Sequence, residues 1–170
     1  MRQAIPWLLA ILAWAWQPAL AEDGVPFALD LQKDSQLARD KQAVILVMFT
    51  QPNCPYCRTV LNEFILPLSR NADYQSRLVM RRVDNRAFTM LRDFAGQPVP
   101  QRRFADSKGV RLVPTVMLFD ADGHTLGNPL VGISSVDYYG FFLDQAIDQA
   151  VARVRGVAPA APDQHIISGP

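Results

Sequence analysis

The sequence has few of the residues that build metal sites or bind nucleic acids. Its 170 residues include two cysteines and two histidines. A structural zinc site usually needs four ligands, and His124 and His165 lie far from the cysteine pair in sequence. The 17 basic and 16 acidic residues nearly balance, and the sequence has no basic tract with interleaved aromatic residues. We therefore expect no metal and no nucleic-acid partner.

A long apolar run occurs once, near the N-terminus. Residues 5–16 are uncharged and follow Arg2, but the run is short for a membrane span. Residues 19–21 then supply a small-x-small cleavage pattern. We predict that residues 1–21 are a signal peptide removed after Ala21, the alternative being an uncleaved N-terminal anchor. Export would place the protein in an oxidising compartment.

The remaining chain has a length typical of one domain, which we place at residues 22–155. Residues 156–170 are rich in alanine and proline, and we predict a disordered tail. The apolar run 43–49 is typical of a central strand covered on both faces. A tight turn at Asp122-Gly123 predicts an antiparallel return strand over residues 125–131.

Apolar spacing and capping residues predict the helices. We expect a helix at about residues 29–40, one after the cysteines that Pro67 interrupts, and a short one capped by Asn71. The arginine pairs at 81–82 and 102–103 are interpreted as solvated faces. Ser134 or Ser135 should cap the last helix. Its predicted apolar face consists of Tyr138, Phe141, Phe142, Ala146 and Ile147.

The cysteines occur as Cys54-Pro55-Tyr56-Cys57, between the predicted strand and a helix. This spacing puts both thiols on one side of the first helical turn, where they can form a redox-active disulfide. The positive end of the helix favours the thiolate of Cys54, which should be the exposed nucleophile. Cys57 should resolve the mixed disulfide, and Arg58 adds positive charge nearby. The alternative is a static disulfide, although so short a loop removes little chain entropy.

The order of the motifs resembles the thioredoxin fold. The Cys-Pro-Tyr-Cys stretch follows a strand, a later strand ends in Val83-Asp84, and Val113-Pro114-Thr115 precedes a strand pair. The resemblance covers about residues 29–153, and the signal peptide, short helix and extra hairpin are similar to the secreted bacterial branch, including SoxW-type periplasmic thioredoxins. It implies a periplasmic location and an α/β fold, a three-layer sandwich around a central mixed sheet, with a small hairpin insertion at about 86–99.

The resemblance also implies how substrate would bind. The Val113–Pro114 bond should be cis and face the dithiol, and the backbone of Val113 should pair with a substrate segment as an added strand. Thr115 completes this substrate-binding loop, and Pro55 and Tyr56 are the active-site dipeptide. The alternative is a trans proline at the entry to a strand. No cofactor beyond the disulfide is implied.

Two positions depart from the family pattern. The buried acid that lies under the resolving cysteine in cytoplasmic thioredoxins is replaced by Met48, and its lysine partner by Met80. Water or a substrate group must therefore carry the proton of Cys57. The dipeptide is the one usual in glutaredoxins, but their glutathione-binding glycine pair and acid are replaced by Gly132-Ile133-Ser134-Ser135. Glutathione is therefore not an expected substrate.

Three functions remain open at the level of sequence. The first is a periplasmic reductase of disulfides in exported proteins, monomeric and supplied with electrons by a membrane donor. The second is a disulfide-forming oxidase, although the large helical insertion of such oxidases is absent. The third is a Cu(I)-binding module that uses Cys54 and Cys57 as soft ligands.

Overall fold

The computed structural model describes residues 24–133 and 135–157. The predicted signal peptide, Ser134 and most of the predicted tail lie outside these residues. Within the described part, no helix combines the length and apolar character needed to cross a bilayer.

Six helices, six strands and one π-helical turn follow one another along the described chain. The helices are α1 (Leu31–Lys41), α2 (Pro55–Val60), α3 (Leu66–Arg70), α4 (Ala72–Arg77), α5 (Gln101–Ser107) and α6 (Val136–Arg155), and the π-helical turn is Leu61–Ile65. The strands are β1 (Val44–Thr50), β2 (Leu78–Asp84), β3 (Met90–Arg92), β4 (Pro98–Pro100), β5 (Thr115–Phe119) and β6 (Leu130–Val131).

The central sheet has the strand order β2-β1-β5-β6. Strand β1 pairs in parallel with β2 and antiparallel with β5, so the sheet is mixed. Strands β3 and β4 form a separate antiparallel hairpin, in which Leu91 is opposite Val99. The mixed sheet with a small hairpin insertion confirms the predicted fold class.

The side chains of β1 alternate between two cores, as period-two geometry requires. Val44, Leu46 and Met48 pack toward α2 and α6, while Val47 and Phe49 pack toward α1 and α5. All of these side chains are fully buried. Each contributes about 1.5–3 kcal/mol of hydrophobic free energy, and the arrangement confirms the three layers.

Pro67 does not end the helix that follows the cysteines. A proline inside a helix lacks an N–H and its ring collides with the preceding turn. Here the π-helical turn Leu61–Ile65 lies immediately before it, with the N–H of Leu66 bonded to the carbonyl of Leu61. The wider turn accommodates the proline, so the chain stays helical to Arg70.

The predicted return strand over residues 125–131 is broken. Thr125 forms an isolated bridge with Phe119, and regular pairing resumes only at β6. Gly127 adopts φ +75° between these points. Such a left-handed residue cannot continue a strand, so the long strand was wrong.

The first helix starts later than predicted, and the last one packs only Ala146 and Ile147 of its predicted apolar face into the core. Asp30 caps α1 by accepting the N–H of Lys33, so α1 begins at Leu31 rather than at residue 29. In α6 the buried positions include Tyr139, Leu143 and Ile147, spaced by four. The exposed aromatic side chains are Tyr138 (65%), Phe141 (48%) and Phe142 (55%). Both sets are apolar, so the helical period alone does not select between them.

Candidate redox site

Cys54 and Cys57 form a disulfide at the start of α2. Cys54 is the N-cap residue with extended backbone, and Pro55 occupies the first helical turn, where its missing N–H costs nothing. Tyr56 is exposed. Four residues of irregular backbone, from Gln51 to Cys54, therefore link the end of β1 to the helix that holds Cys57.

One backbone donor points directly at the proposed nucleophile. The N–H of Cys57 donates to Sγ of Cys54 over 3.1 Å. A hydrogen bond to the charged form of a group favours that form. In the reduced protein this contact would stabilise a thiolate on Cys54 rather than on Cys57.

The prediction that Cys54 is exposed was wrong. Cys54 is 8% exposed and Cys57 is 3% exposed, because both pack into the core cluster that includes Met48 and Tyr139. Cys54 is the more accessible of the two. Both cysteines nevertheless line a surface cavity of about 300 Å³, through which a partner can approach the disulfide.

The Val113–Pro114 peptide bond is cis, the isomer that the resemblance implies. Thr115 is opposite Phe49, so the loop before β5 lies at the same end of the sheet as the segment that follows β1. Val113 packs against the cluster that contains both cysteines. The sequence motif and the dithiol are therefore brought together.

The loop around Pro114 leaves backbone groups available. The carbonyl of Pro114 accepts the N–H of Gly132 over 2.7 Å, and the Thr115 hydroxyl donates to the carbonyl of Leu112 over 2.8 Å. The backbone of Val113 makes no hydrogen bond within the described chain. Its N–H and C=O are the groups that an added substrate strand would need.

Met48 and Met80, which replace the buried acid and lysine of cytoplasmic thioredoxins, lie in the core next to the cysteines. Met48 is fully buried and Met80 is 7% exposed, and both belong to the apolar cluster of the cysteines. Asp34 is the buried acid of the described chain, and it lies on the opposite face of the sheet, where it accepts from Arg81 over 2.9 Å. Burial raises the pKa of Asp34 despite this pairing. No described carboxylate is thus buried beneath Cys57.

A buried tyrosine beside the cysteines escaped the sequence analysis. Tyr139 is 6% exposed and its ring lies 4.8 Å from that of Phe64. Its hydroxyl has no hydrogen-bond partner among the described residues, and burial raises the pKa of Tyr139. Apolar spacing selected its neighbour Tyr138 instead, and no signal in the sequence distinguished the two.

The cavity beside the disulfide was also missed. It is lined by the residues between β1 and α2, by Phe27, and by three charged side chains, Arg58, Arg82 and Asp84. Arg82 was interpreted as solvated, but it donates to the carbonyl of Val25 over 2.6 Å and stacks on Phe27 at 4.3 Å. Arg81 is likewise half-buried and paired with Asp34. The prediction of solvated faces was wrong for these two residues.

One group of potential metal ligands exists in the described chain, away from the dithiol. Asp120, Asp122 and His124 lie together in the turn after β5. Asp120 already accepts the N–H groups of Asp122 and His124, and Asp122 is paired with Arg39. These contacts are those of a stabilised turn.

The fold and the disulfide define a class: an α/β domain of thioredoxin-like fold with a Cys-x-x-Cys disulfide. The family described as Thioredoxin-like domain (Thioredoxin_2) matches residues 31–147, and the chain belongs to this family. No curated protein matches the sequence.

Solved structures share the fold at low sequence identity. Thioredoxin from Malassezia sympodialis (Mala s 13) is 19% identical with a TM-score of 0.50, covering 76% of this chain and 95% of that one. The periplasmic thioredoxin SoxS from Paracoccus pantotrophus is 24% identical with a TM-score of 0.44, covering 63% and 98%. The C-terminal domain of DsbD from Neisseria meningitidis is 15% identical with a TM-score of 0.46, covering 68% and 89%. Of these likenesses, only that to the Malassezia sympodialis thioredoxin reaches a TM-score of 0.50, and it bears on the fold alone.

Proposed function

We propose that the protein is a periplasmic thiol:disulfide oxidoreductase that reduces disulfides of exported proteins. The observation that supports this most is the contact between the N–H of Cys57 and Sγ of Cys54, 3.1 Å long, within a disulfide that lines a surface cavity. A purely structural disulfide needs neither feature. The unpaired backbone of Val113 beside it supplies the docking groups for a polypeptide substrate.

The reaction proceeds in two exchanges. The thiolate of Cys54 attacks one sulfur of the substrate disulfide, forming a mixed disulfide and releasing the other substrate sulfur as a thiolate. The thiolate of Cys57 then attacks Sγ of Cys54, which forms the Cys54–Cys57 bond and releases the second substrate thiolate. Two electrons pass to the substrate, and the two thiol protons finish on its sulfurs at neutral pH.

Proton transfer in the second exchange must come from outside the apolar cluster. Met48 and Met80 offer no acid or base beneath Cys57. The thiol proton of Cys57 therefore passes to water in the adjoining cavity or to the departing substrate thiolate. We expect the second exchange to be slower than attack by Cys54, since a thiol without a base is a weak nucleophile.

The proposed direction and compartment follow from separate observations. Within residues 24–133 and 135–157, the insertion relative to the central sheet is the hairpin of β3 and β4, which is too small to be the large helical insertion expected of an oxidase. The predicted signal peptide supports export. In an oxidising compartment the dithiol must be regenerated by an electron donor, for which we propose a membrane protein, and we propose that the reductase itself is a monomer.

The equilibrium reduction potential tests the proposed direction. The protein would be equilibrated in dithiothreitol redox buffers, alkylated and weighed intact. We expect a value close to that of thioredoxin, about −270 mV. A value near that of the strong oxidant DsbA, about −120 mV, would overturn the reductase and favour the oxidase.

A further inference from the structure

The cavity beside the disulfide opens toward β2, away from the cis-proline loop. Arg82 and Asp84 of β2 line it, together with Cys54, Cys57 and Arg58. No residue of the Val113–Thr115 loop takes part. A segment bound along Val113 would therefore leave this second side of the disulfide open to the flanking residues of the partner.

Several arginines elsewhere in the described chain are paired with acids, whereas Arg58, Arg86 and Arg111 are not. The matched pairs include Arg39–Asp122, Arg77–Asp148 and Arg81–Asp34. By contrast, the exposed side chains of Arg58, Arg86 and Arg111 make no hydrogen bond or ion pair with any residue between 24 and 133 or 135 and 157. Their charges are therefore available to a partner.

Strand register places Arg86 at the end of the sheet that leads to Cys54, and chain position relates Arg58 and Arg111 to the dithiol and to the Pro114 loop. Thr50 is opposite Asp84, and the N–H of Asn85 donates to the carbonyl of Thr50 over 2.9 Å, so Arg86 lies just beyond the strand end that leads to Cys54. Arg111 lies three residues before Pro114, in the segment that leads into β5. Arg58 follows Cys57 directly.

The charge balance at this end is positive. Arg82 and Arg102 add to the three unpaired arginines, while the acids placed there are Asp84 and Asp137, the latter in the first turn of α6. Arg102 lies in the first turn of α5, which contains no acid, and stacks on the exposed ring of Phe88 at 4.4 Å. Cations at a helix N-terminus gain nothing from the macrodipole. Arg102 therefore gains no stabilisation from the N-terminus of α5.

We infer that the partner of this dithiol is a polypeptide with acidic residues close to the disulfide that is exchanged. The inference rests on the proposed function and specifies its substrate class. Guanidinium groups form forked hydrogen bonds with carboxylates, and the positive end steers an acidic segment toward Cys54 during encounter. Arg58 contacts the acidic residue nearest the attacked sulfur, and Arg86 and Arg111 contact residues on either side.

Two disulfide-bridged peptides that differ only in their flanking residues test the inference. One has aspartate and glutamate beside the bridge and the other has lysine, and hydroxyethyl disulfide serves as an uncharged probe. The rate constant of each with the reduced full-length protein is measured at low and high salt. We expect the acidic peptide to react about tenfold faster at low salt, because several exposed ion pairs act together. The difference should disappear at high salt.

Variants identify the responsible side chains. The triple change Arg58→Glu, Arg86→Glu and Arg111→Glu should abolish or reverse the preference for the acidic peptide. Arg153→Glu is the matched control, since Arg153 is exposed near the end of α6 where Arg155 bonds to Gln42, at the opposite end of β1. It should leave the ratio of the two rate constants unchanged.

The outcomes separate the two proposals. If the protein fails to reduce even hydroxyethyl disulfide, the proposed function fails and the inference fails with it. If that probe is reduced while wild-type protein reacts equally with both peptides at low salt, the inference alone is overturned. This comparison uses only the wild-type protein, so it stands even if the triple variant does not fold.

Discussion

At the scale of single residues, one backbone N–H distinguishes the two cysteines. The donor is the N–H of Cys57 and the acceptor is Sγ of Cys54. Pro55 makes this geometry compatible with a helix start, since it has no N–H of its own to compete for the same sulfur. The asymmetry of the site therefore arises from the backbone, with no charged side chain buried beneath it.

Tyr139 provides a residue-scale prediction. Its buried hydroxyl lacks a partner among the described residues, so it carries a desolvation cost without a compensating hydrogen bond. We expect Tyr139→Phe to leave the free energy of unfolding unchanged or to raise it by up to about 1 kcal/mol. Urea denaturation of the oxidised protein measures this. A loss of stability beyond about 1 kcal/mol would contradict it by revealing a hydrogen bond.

The sequence was sufficient to locate the disulfide and the cis-proline and insufficient for their surroundings. Cys54, Cys57 and Pro114 belong to short motifs whose geometry is local, so they could be identified. The exposure of Cys54 depends on core packing from distant segments, including Met48 and Tyr139. That information is tertiary, which explains why the cysteine was predicted to be more open than it is.

At the scale of elements, α4 is attached to α6 by side-chain hydrogen bonds. The hydroxyl of Tyr74 donates to Asp144 over 2.7 Å, and Arg77 pairs with Asp148 over 2.8 Å. The first contact requires a neutral tyrosine. Burial, assisted by the bond to Asp144, raises the pKa of Tyr74 to about 12.

This contact predicts a loss of stability in alkali. Because the folded pKa of Tyr74 is raised above the unfolded value of about 10, its stabilisation is complete below pH 10 and is lost as pH rises toward about 12. Unfolding free energies measured from pH 8 to pH 11 should fall less steeply for Tyr74→Phe than for wild type. Below pH 10 the variant should be less stable by about 1 kcal/mol. Parallel pH profiles would contradict the assignment.

The turn after β5 supports a second element-scale prediction. Gly123 has φ +82°, and a Cβ there would lie 2.6 Å from the ring of Phe94 in the hairpin insertion. Gly127 has φ +75° and open space around it. Gly127→Ala should cost about 1 kcal/mol for backbone strain, and Gly123→Ala a further 1–3 kcal/mol, roughly, for overpacking. Equal losses in urea denaturation would show that the hairpin does not press on this turn.

The helices show which element boundaries the sequence could not define. Asn71 and Asp30 cap helices through contacts within three residues, and Asn71 was identified as a cap from its local pattern alone. The helix through Pro67 depends on a π-helical turn that no propensity indicates. The choice of buried face in α6 depends on where the helix rests against the sheet. The sequence analysis was therefore wrong about Pro67 and about three of the five residues on the predicted apolar face of α6.

At the scale of the whole molecule, the sheet brings the two parts of the site together. The antiparallel pairing of β1 with β5 puts Thr115 opposite Phe49, although 66 positions separate them. The order of motifs predicted this architecture because each strand is marked by an apolar run and each junction by a cysteine, proline or glycine. The positive charge at one end was not predicted, since it emerges only when loops from different strands meet.

The central claim is that Cys54 attacks and Cys57 resolves. The most direct measurement compares the single variants Cys57→Ser and Cys54→Ser, each reduced, mixed with a disulfide-containing protein and weighed intact. We predict that Cys57→Ser accumulates a covalent adduct through Cys54 that dithiothreitol releases, and that Cys54→Ser forms little or none. An adduct through Cys57 in the Cys54→Ser variant, or no adduct with either variant, would contradict the claim.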